Sequence, residues 1–258
     1  MAKDSIESLS KMLAAGKSDT LVNYLKTLAK FHKYSFGNVM LIAAQRPDST
    51  HVAGFNTWKK LGRSVIKGEK GIGIMAPVVY KNKSEAELSV SEKESDRCIR
   101  GFRIVHVFDV TQTEGEPLPE LAQVSGSPTE STDRLRQLIA SHNIELRIED
   151  LPGLTKGLSS GGTIIVQAGL SPAEEFAVMV HELAHELLHK SERRAETTKT
   201  IRETEAEAVA FVVCESCGID TSTRSSDYIQ LYQGSVDTLN ASLNQIQLTA
   251  CAIIDQLR

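Results

Sequence analysis

Residues 171–189 read SPAEEFAVMVHELAHELLH, and the second half of the chain is organised around them. Ser171, Pro172 and Glu174 mark a helix start: the serine can cap, the proline suits the first turn, and the glutamate completes a capping box. Phe176, Val178, Met179, Leu183 and Leu187 give the helix apolar positions to bury. His181 and His185 are four residues apart, so they project from one face on successive turns. Two imidazoles so placed can share one zinc ion. Glu182 lies beside them and is the candidate general base toward a zinc-activated water. An exposed charged helix with His–Glu ion pairs is the plainer alternative, and the strong cap and apolar flanks weigh against it. His189, another four residues on, falls beyond the ideal pair and is expected to support a ligand or lie at the surface.

A catalytic zinc usually has three protein ligands, so the third must come from elsewhere. The downstream helix RETEAEAVAFVV (202–213) offers Glu203, Glu205 and Glu207. Glu203 and Glu207 share a face, and Glu205 points away as a solvated acid. The apolar run after Glu207 makes it the deepest, and a buried carboxylate is costly without a cation. Glu207 is therefore the expected ligand, with Glu203 in reserve or bonded to a ligand histidine. Tyr228, after this helix, is a candidate to stabilise the oxyanion. Thr163–Gln167 is a candidate edge strand for pairing with an extended peptide.

Outward from these helices, DRLRQLIASH reads as a helix, and NIELRIED and GGTIIVQAG as strands. Further helices are expected over about 200–217, stopped by Gly218, and about 236–257. The first half has helical spacing at Ile6, Leu9, Met12 and Leu13, and again through TLVNYLKTLAKFH. Phe36-Gly37-Asn38 reads as a break, Phe55–Leu61 as a short helix, and 62–81 as short strands with tight turns. Residues 82–99 read as a polar excursion before the strand FRIVHVFDV (102–110). The fold class is α+β in two domains, 1–112 and 133–258, with a Pro/Ser/Thr-rich linker at 113–132.

Charge divides the same way. Residues 1–112 carry 18 Lys/Arg against 11 Asp/Glu, a balance of +7, and the remainder carries 11 against 22, a balance of −11. A basic module can face a polyanion, and an acidic one should not. No apolar run approaches the roughly 20 residues that span a bilayer, and no secretory leader is read, so a cytoplasmic location is expected. The four cysteines are expected as thiols. Cys214 and Cys217, within an apolar helical run, are read as packing residues.

The second half resembles zincin peptidases of the ImmA/IrrE-like type, on HELAHELLH and Glu207-Ala208-Val209-Ala210-Phe211. In that family the glutamate of this element is the third ligand. The whole chain, over roughly 15–235, resembles the ArdC antirestriction family. The matching stretches are Ser35–Asn38, Phe55–Lys59, Leu61-Gly62 through Gly71, and Val107–Val110 with 112–119. The resemblance implies a Zn2+ peptidase domain with a protein or peptide substrate. It also implies an N-terminal single-stranded-DNA-binding domain and a role in protecting incoming DNA on mobile elements from restriction.

Single-stranded nucleic acid is held by a positive groove and aromatic platforms. The candidate contacts are Lys33, Arg46, Trp58, Lys59, Lys60, Arg63, Lys67 and Lys70, with Trp58 expected to pack at least partly inside. Two other functions fit the same residues: a DNA-binding protection factor whose zinc domain is structural or latent, and a peptidase that cuts a regulatory repressor.

Overall fold

The computed structural model describes residues 6–7, 9–11, 13, 19–81, 97–116, 128–219 and 236–257. Helix α1 (Asp19–Lys30) places Leu21, Tyr24, Leu25 and Leu28 on one stripe, and all four are buried. Phe36-Gly37-Asn38 does not break the chain: helix α2 (Phe36–Gln45) begins there, behind an extended Ser35. A helical glycine costs about 1 kcal/mol, less than the burial of Val39, Met40, Leu41 and Ile42 contributes at about 1.5–3 kcal/mol per large apolar side chain.

The strands of this half are β1 (Val52–Gly54), β2 (Arg63–Val65), β3 (Ile72–Lys81), β4 (Arg97–Asp109) and β5 (Thr113–Gly115), with helix α3 (Phe55–Lys60) after β1. β1, β4 and β3 form an antiparallel sheet in that order, and β2 pairs with β5. Side-chain amides of α2 cap the free edge of β3. Asn38 bonds both backbone groups of Met75, and Gln45 both of Gly73, at 2.8–2.9 Å. Over Gly73–Met75 this edge is closed to another strand. Thr113–Gly115, read as linker, is a strand because Arg63 clamps it. The guanidinium donates to Thr113 Oγ1, to the carbonyl of Thr113, and to those of Gly115 and Glu116.

The second half comprises α4 (Pro128–Ser141), β6 (Glu145–Glu149), β7 (Gly157–Ser159), β8 (Thr163–Gln167), α5 (Pro172–Leu188), α6 (Ser191–Glu196), α7 (Lys199–Ser216) and α8 (Val236–Leu257). β8 runs parallel to β6 and antiparallel to β7, so it is the central strand rather than the expected edge. The strand on the side of β8 away from β6 is β7, whose three residues are too short to give an alternation signal. The fold is α+β, as expected.

One hydrophobic core runs through both halves, from Ile6 to Leu257. α7 packs against α5, α8 and the N-terminal helix α1. Gln247 on α8 donates to the Tyr34 carbonyl at 2.7 Å, and the Cys251 thiol to that of His32 at 3.0 Å. Cys214 is fully buried within α7. Among the described residues no helix is long and apolar enough to cross a membrane.

Candidate metal centre

Helix α5 starts as its sequence requires. Ser171 Oγ accepts the Glu174 N–H, and the Glu174 carboxylate accepts the Ser171 N–H and O–H. Phe176 to Val180, Leu183 and Ala184 are buried, which turns His181 and His185 together toward α7. Their Nε2 atoms lie 3.1 Å apart. Glu203 Oε2 faces this pair, 3.6 Å from His181 Nε2 and 3.5 Å from His185 Nε2. These three residues are the group whose donor atoms could hold a metal ion among the described residues.

The two glutamates on this face of α7 meet different atoms of the histidines. Glu207 meets His181 on the other side of the ring, its Oε2 3.1 Å from Nδ1. The apolar run after Glu207 does draw it deeper: its side chain is 15% exposed against 52% for Glu203. Depth, however, takes it one turn past the Nε2 pair. Glu205 departs further from expectation. It is not a solvated acid but fully buried, receiving His189 Nε2 at 3.0 Å and the Arg193 guanidinium. His189 is also buried, with Nδ1 3.1 Å from His185 Nδ1.

These contacts define tautomers. Burial lowers the His189 pKa against the opposing pull of Glu205, so His189 is neutral and has one N–H. That N–H is on Nε2, because a carboxylate can only accept. His189 Nδ1 is then an acceptor, His185 Nδ1 is the donor, and His185 Nε2 keeps its lone pair. Glu207 acts likewise on His181. Burial also raises the Glu205 carboxyl, but hydrogen bonds from His189, Ser242 and Arg193 outweigh it and hold the group ionised. In the His181 imidazole, burial lowers the pKa and the contacts with Glu203 and Glu207 more than reverse it, to about 9. Contact with the His181 imidazole, foremost, holds Glu203 far below the usual carboxylate range.

Glu182 is buried beside the histidines, and burial raises its carboxyl pKa against the field of His181 and His185 and a hydrogen bond with Ser159. It forms one wall of a cavity of about 400 Å3 with His181, Val178, Gly157 and Lys156, and Leu154 stands fully exposed at the mouth. β7 runs along this cavity. A Cβ on Gly157 would stand 2.5 Å from Glu182 Oε1 and 2.6 Å from Val178 Cγ1, so the strand approaches the carboxylate only without a side chain there. Sequence reasoning missed Ser159, Gly157 and Glu205, and Arg193 as the partner of Glu205. The HxxxHxxxH spacing was the signal for His189. Tyr228 lies outside the described residues.

The basic set of the first half divides. Lys33, Lys59, Lys60, Lys67 and Lys70 are exposed. Arg46 donates to Thr111 Oγ1, and Arg63 is occupied by the β2–β5 clamp. Trp58 is 2% exposed and its indole N–H donates to the Phe108 carbonyl at 2.9 Å, so it cannot stack on a base. It anchors α3 to β4 instead.

Residues 5–108 match the model of the N-terminal domain of anti-restriction factor ArdC, and residues 139–214 that of the IrrE N-terminal-like domain. A curated relative, an uncharacterised protein of Bacillus anthracis, is 26% identical over 89% of this chain and 46% of its own length. The chain thus spans about half the length of that relative. Two crystal structures of the antirestriction protein ArdC from plasmid R388 align over the full chain. The metal-free form has a TM-score of 0.61 at 17% identity with 97% of that protein covered; the Mn(II)-bound form has 0.58 at 18% with 96% covered. At this identity the likeness is one of fold. With both models matched in order, the chain carries a part like the N-terminal domain of anti-restriction factor ArdC followed by an IrrE N-terminal-like domain.

Proposed function

We propose that the protein is a two-part antirestriction factor that binds single-stranded DNA through residues 1–112 and hydrolyses peptide bonds in a zinc-dependent site within 133–258, the intervening 113–132 joining them. The observation that carries the peptidase reading is the convergence of His181, His185 and Glu203 beside the buried Glu182 at an open cavity. Two imidazole nitrogens and one carboxylate form the donor set of a catalytic zinc site that leaves a position open. The same donors accept manganese, the ion in the Mn(II)-bound R388 protein. Glu203 is the third ligand in this reading, and Glu207 and His189 orient the histidines from their Nδ1 sides.

A bound divalent ion supplies Lewis acidity, lowering the pKa of water and polarising a carbonyl. The remaining steps fall to the chain. Glu182, its pKa raised by burial, takes a proton from the attacking water and returns it to the leaving amine. Ser159 holds that carboxyl, and β7 lines the channel in which an extended peptide would lie. Lys59, Lys60, Lys67 and Lys70 supply charge for a phosphate backbone, and tethering on DNA raises the local concentration of protein targets.

Glu182→Gln tests the reading. Metal content and oligonucleotide affinity should be unchanged while peptide hydrolysis falls by about 10²–10⁴-fold. Full protection of DNA by the variant would sink the peptidase as the antirestriction activity and leave a DNA-binding factor with a structural metal site. A protein that takes up no divalent metal would end the metal reading.

A further inference from the structure

The sheet β1-β4-β3 has one face in the core and one in solvent. Side chains alternate along a strand, so Val105, Val107 and Asp109 face inward while Phe102, Ile104, His106 and Phe108 face outward. The register places Met75 opposite Ile104, Pro77 opposite Phe102 and Ala53 opposite Phe108. Soluble sheets normally carry polar residues on such a face. Here Phe102 is 62% exposed, Ile104 56% and Met75 36%. Gly71 keeps the face low at its other end: a Cβ there would stand 2.8 Å from His106 Cβ and 3.0 Å from the Phe108 ring.

Exposed basic residues flank this sheet. In the three strands Arg103 is exposed. Their one acidic residue, Asp109, is fully buried on the opposite face, bonded to the N–H groups of Thr50, His51 and Thr111. Lys70 immediately precedes Gly71. Exposed Lys59 and Lys60 follow Trp58, whose indole is bonded to the Phe108 carbonyl. A flat aromatic and aliphatic surface with a basic rim matches a polyanion that offers unpaired bases, because bases stack on apolar faces while phosphates seek cations. A duplex hides its bases.

We infer that single-stranded DNA lies across this sheet face, with bases stacked on Phe102, Ile104 and His106 and its phosphates on the basic rim. This rests on the DNA-binding reading above and moves its aromatic platform from Trp58 to β4. The probe is a fluorescent oligo-dT added to the full chain, with binding followed by anisotropy across a salt series. Phe102→Ala should weaken binding roughly 5- to 140-fold, the range expected for loss of one stacked base, Ile104→Ala should weaken it less, and both should leave the salt slope unchanged. Phe102→Tyr should restore it. Lys59→Ala with Lys60→Ala should flatten the slope by up to about two. A double Phe102/Ile104 variant that binds as tightly as the wild type overturns the platform while DNA binding stands. Wild-type protein that does not bind oligo-dT at low salt overturns the DNA reading and the platform together. Photo-crosslinking of wild-type protein to an iododeoxyuridine oligonucleotide gives the answer without variants: adducts should fall within 102–108, and adducts found only elsewhere overturn the assignment.

Discussion

Glu205 Oε2 receives the Nε2–H of His189 at 3.0 Å, with the two side chains 0% and 1% exposed. Through His189 this carboxylate reaches His185 Nδ1 and fixes which nitrogen of His185 is bare. Groups that orient ligand histidines in this way typically account for 10–100-fold in metal affinity. His189→Phe should therefore lower metal affinity by about that factor, read by competition with a chelating dye. His189→Gln should recover most of it, since an amide can accept from His185 and donate to Glu205. Equal affinity in the Phe variant and the wild type would show that the relay orients nothing.

Glu203 and Glu207 should separate by the size of their effects. Glu203→Gln removes the carboxylate that faces both Nε2 atoms and should reduce metal content in dialysed protein to a small fraction. Glu207→Gln leaves an acceptor for His181 Nδ1–H and should cost at most about tenfold in affinity. The reverse order would restore Glu207 as the ligand.

Gly157→Ala drives a methyl group into Glu182 and Val178. The expected result is a loss of about 1–3 kcal/mol in stability by denaturant unfolding, with hydrolysis reduced and metal content retained. Unchanged hydrolysis would separate β7 from the catalytic channel.

Metal uptake should depend on pH with a defined sign. The His181 imidazole is raised to about 9 by Glu203 and Glu207, so it holds a proton below that pH, and the proton must leave when a metal binds. Affinity should rise by up to about tenfold per pH unit from 7 toward 9 and then level off. Calorimetry in buffers of different ionisation enthalpy should report about one proton released near neutrality from this group. No release at pH 7 would contradict the protonated site.

The buried Glu205–Arg193 pair should be costly to break. Glu205→Gln leaves Arg193 without its charged partner and should destabilise by about 3–5 kcal/mol, measured by chemical denaturation. Because the Glu205 pKa is depressed, its contribution is present above the unfolded value of about 4.3 and is lost as pH falls through the folded value. The stability difference between wild type and variant should accordingly shrink in acid.

The legible parts of this protein are those governed by periodicity and local chemistry. The capping box at Ser171, the one-face pairing of His181 with His185, and the limits of α7 and α8 follow from spacing along a single helix. The α+β class and the two-part matches followed from the same patterns. The stretches that carry the family resemblance have a different use from the one sequence suggests. Asn38 seals the β3 edge, and Trp58 ties α3 to β4. Asp109 and Gln112 secure the turn between β4 and β5, where Gln112 also bonds Glu69.

Spacing along the chain is enough to say which residues share a helix face and where helices begin. Tertiary structure decided which of three glutamates on α7 meets which histidine atom. That depends on how α7 crosses α5, and a wheel of one helix contains nothing about the other. It also made Thr163–Gln167 a central strand, because a three-residue partner with no pattern of its own pairs beside it. Last, it buried Trp58 and exposed Phe102, since exposure of an aromatic residue is a property of its neighbours in space rather than of its own chemistry.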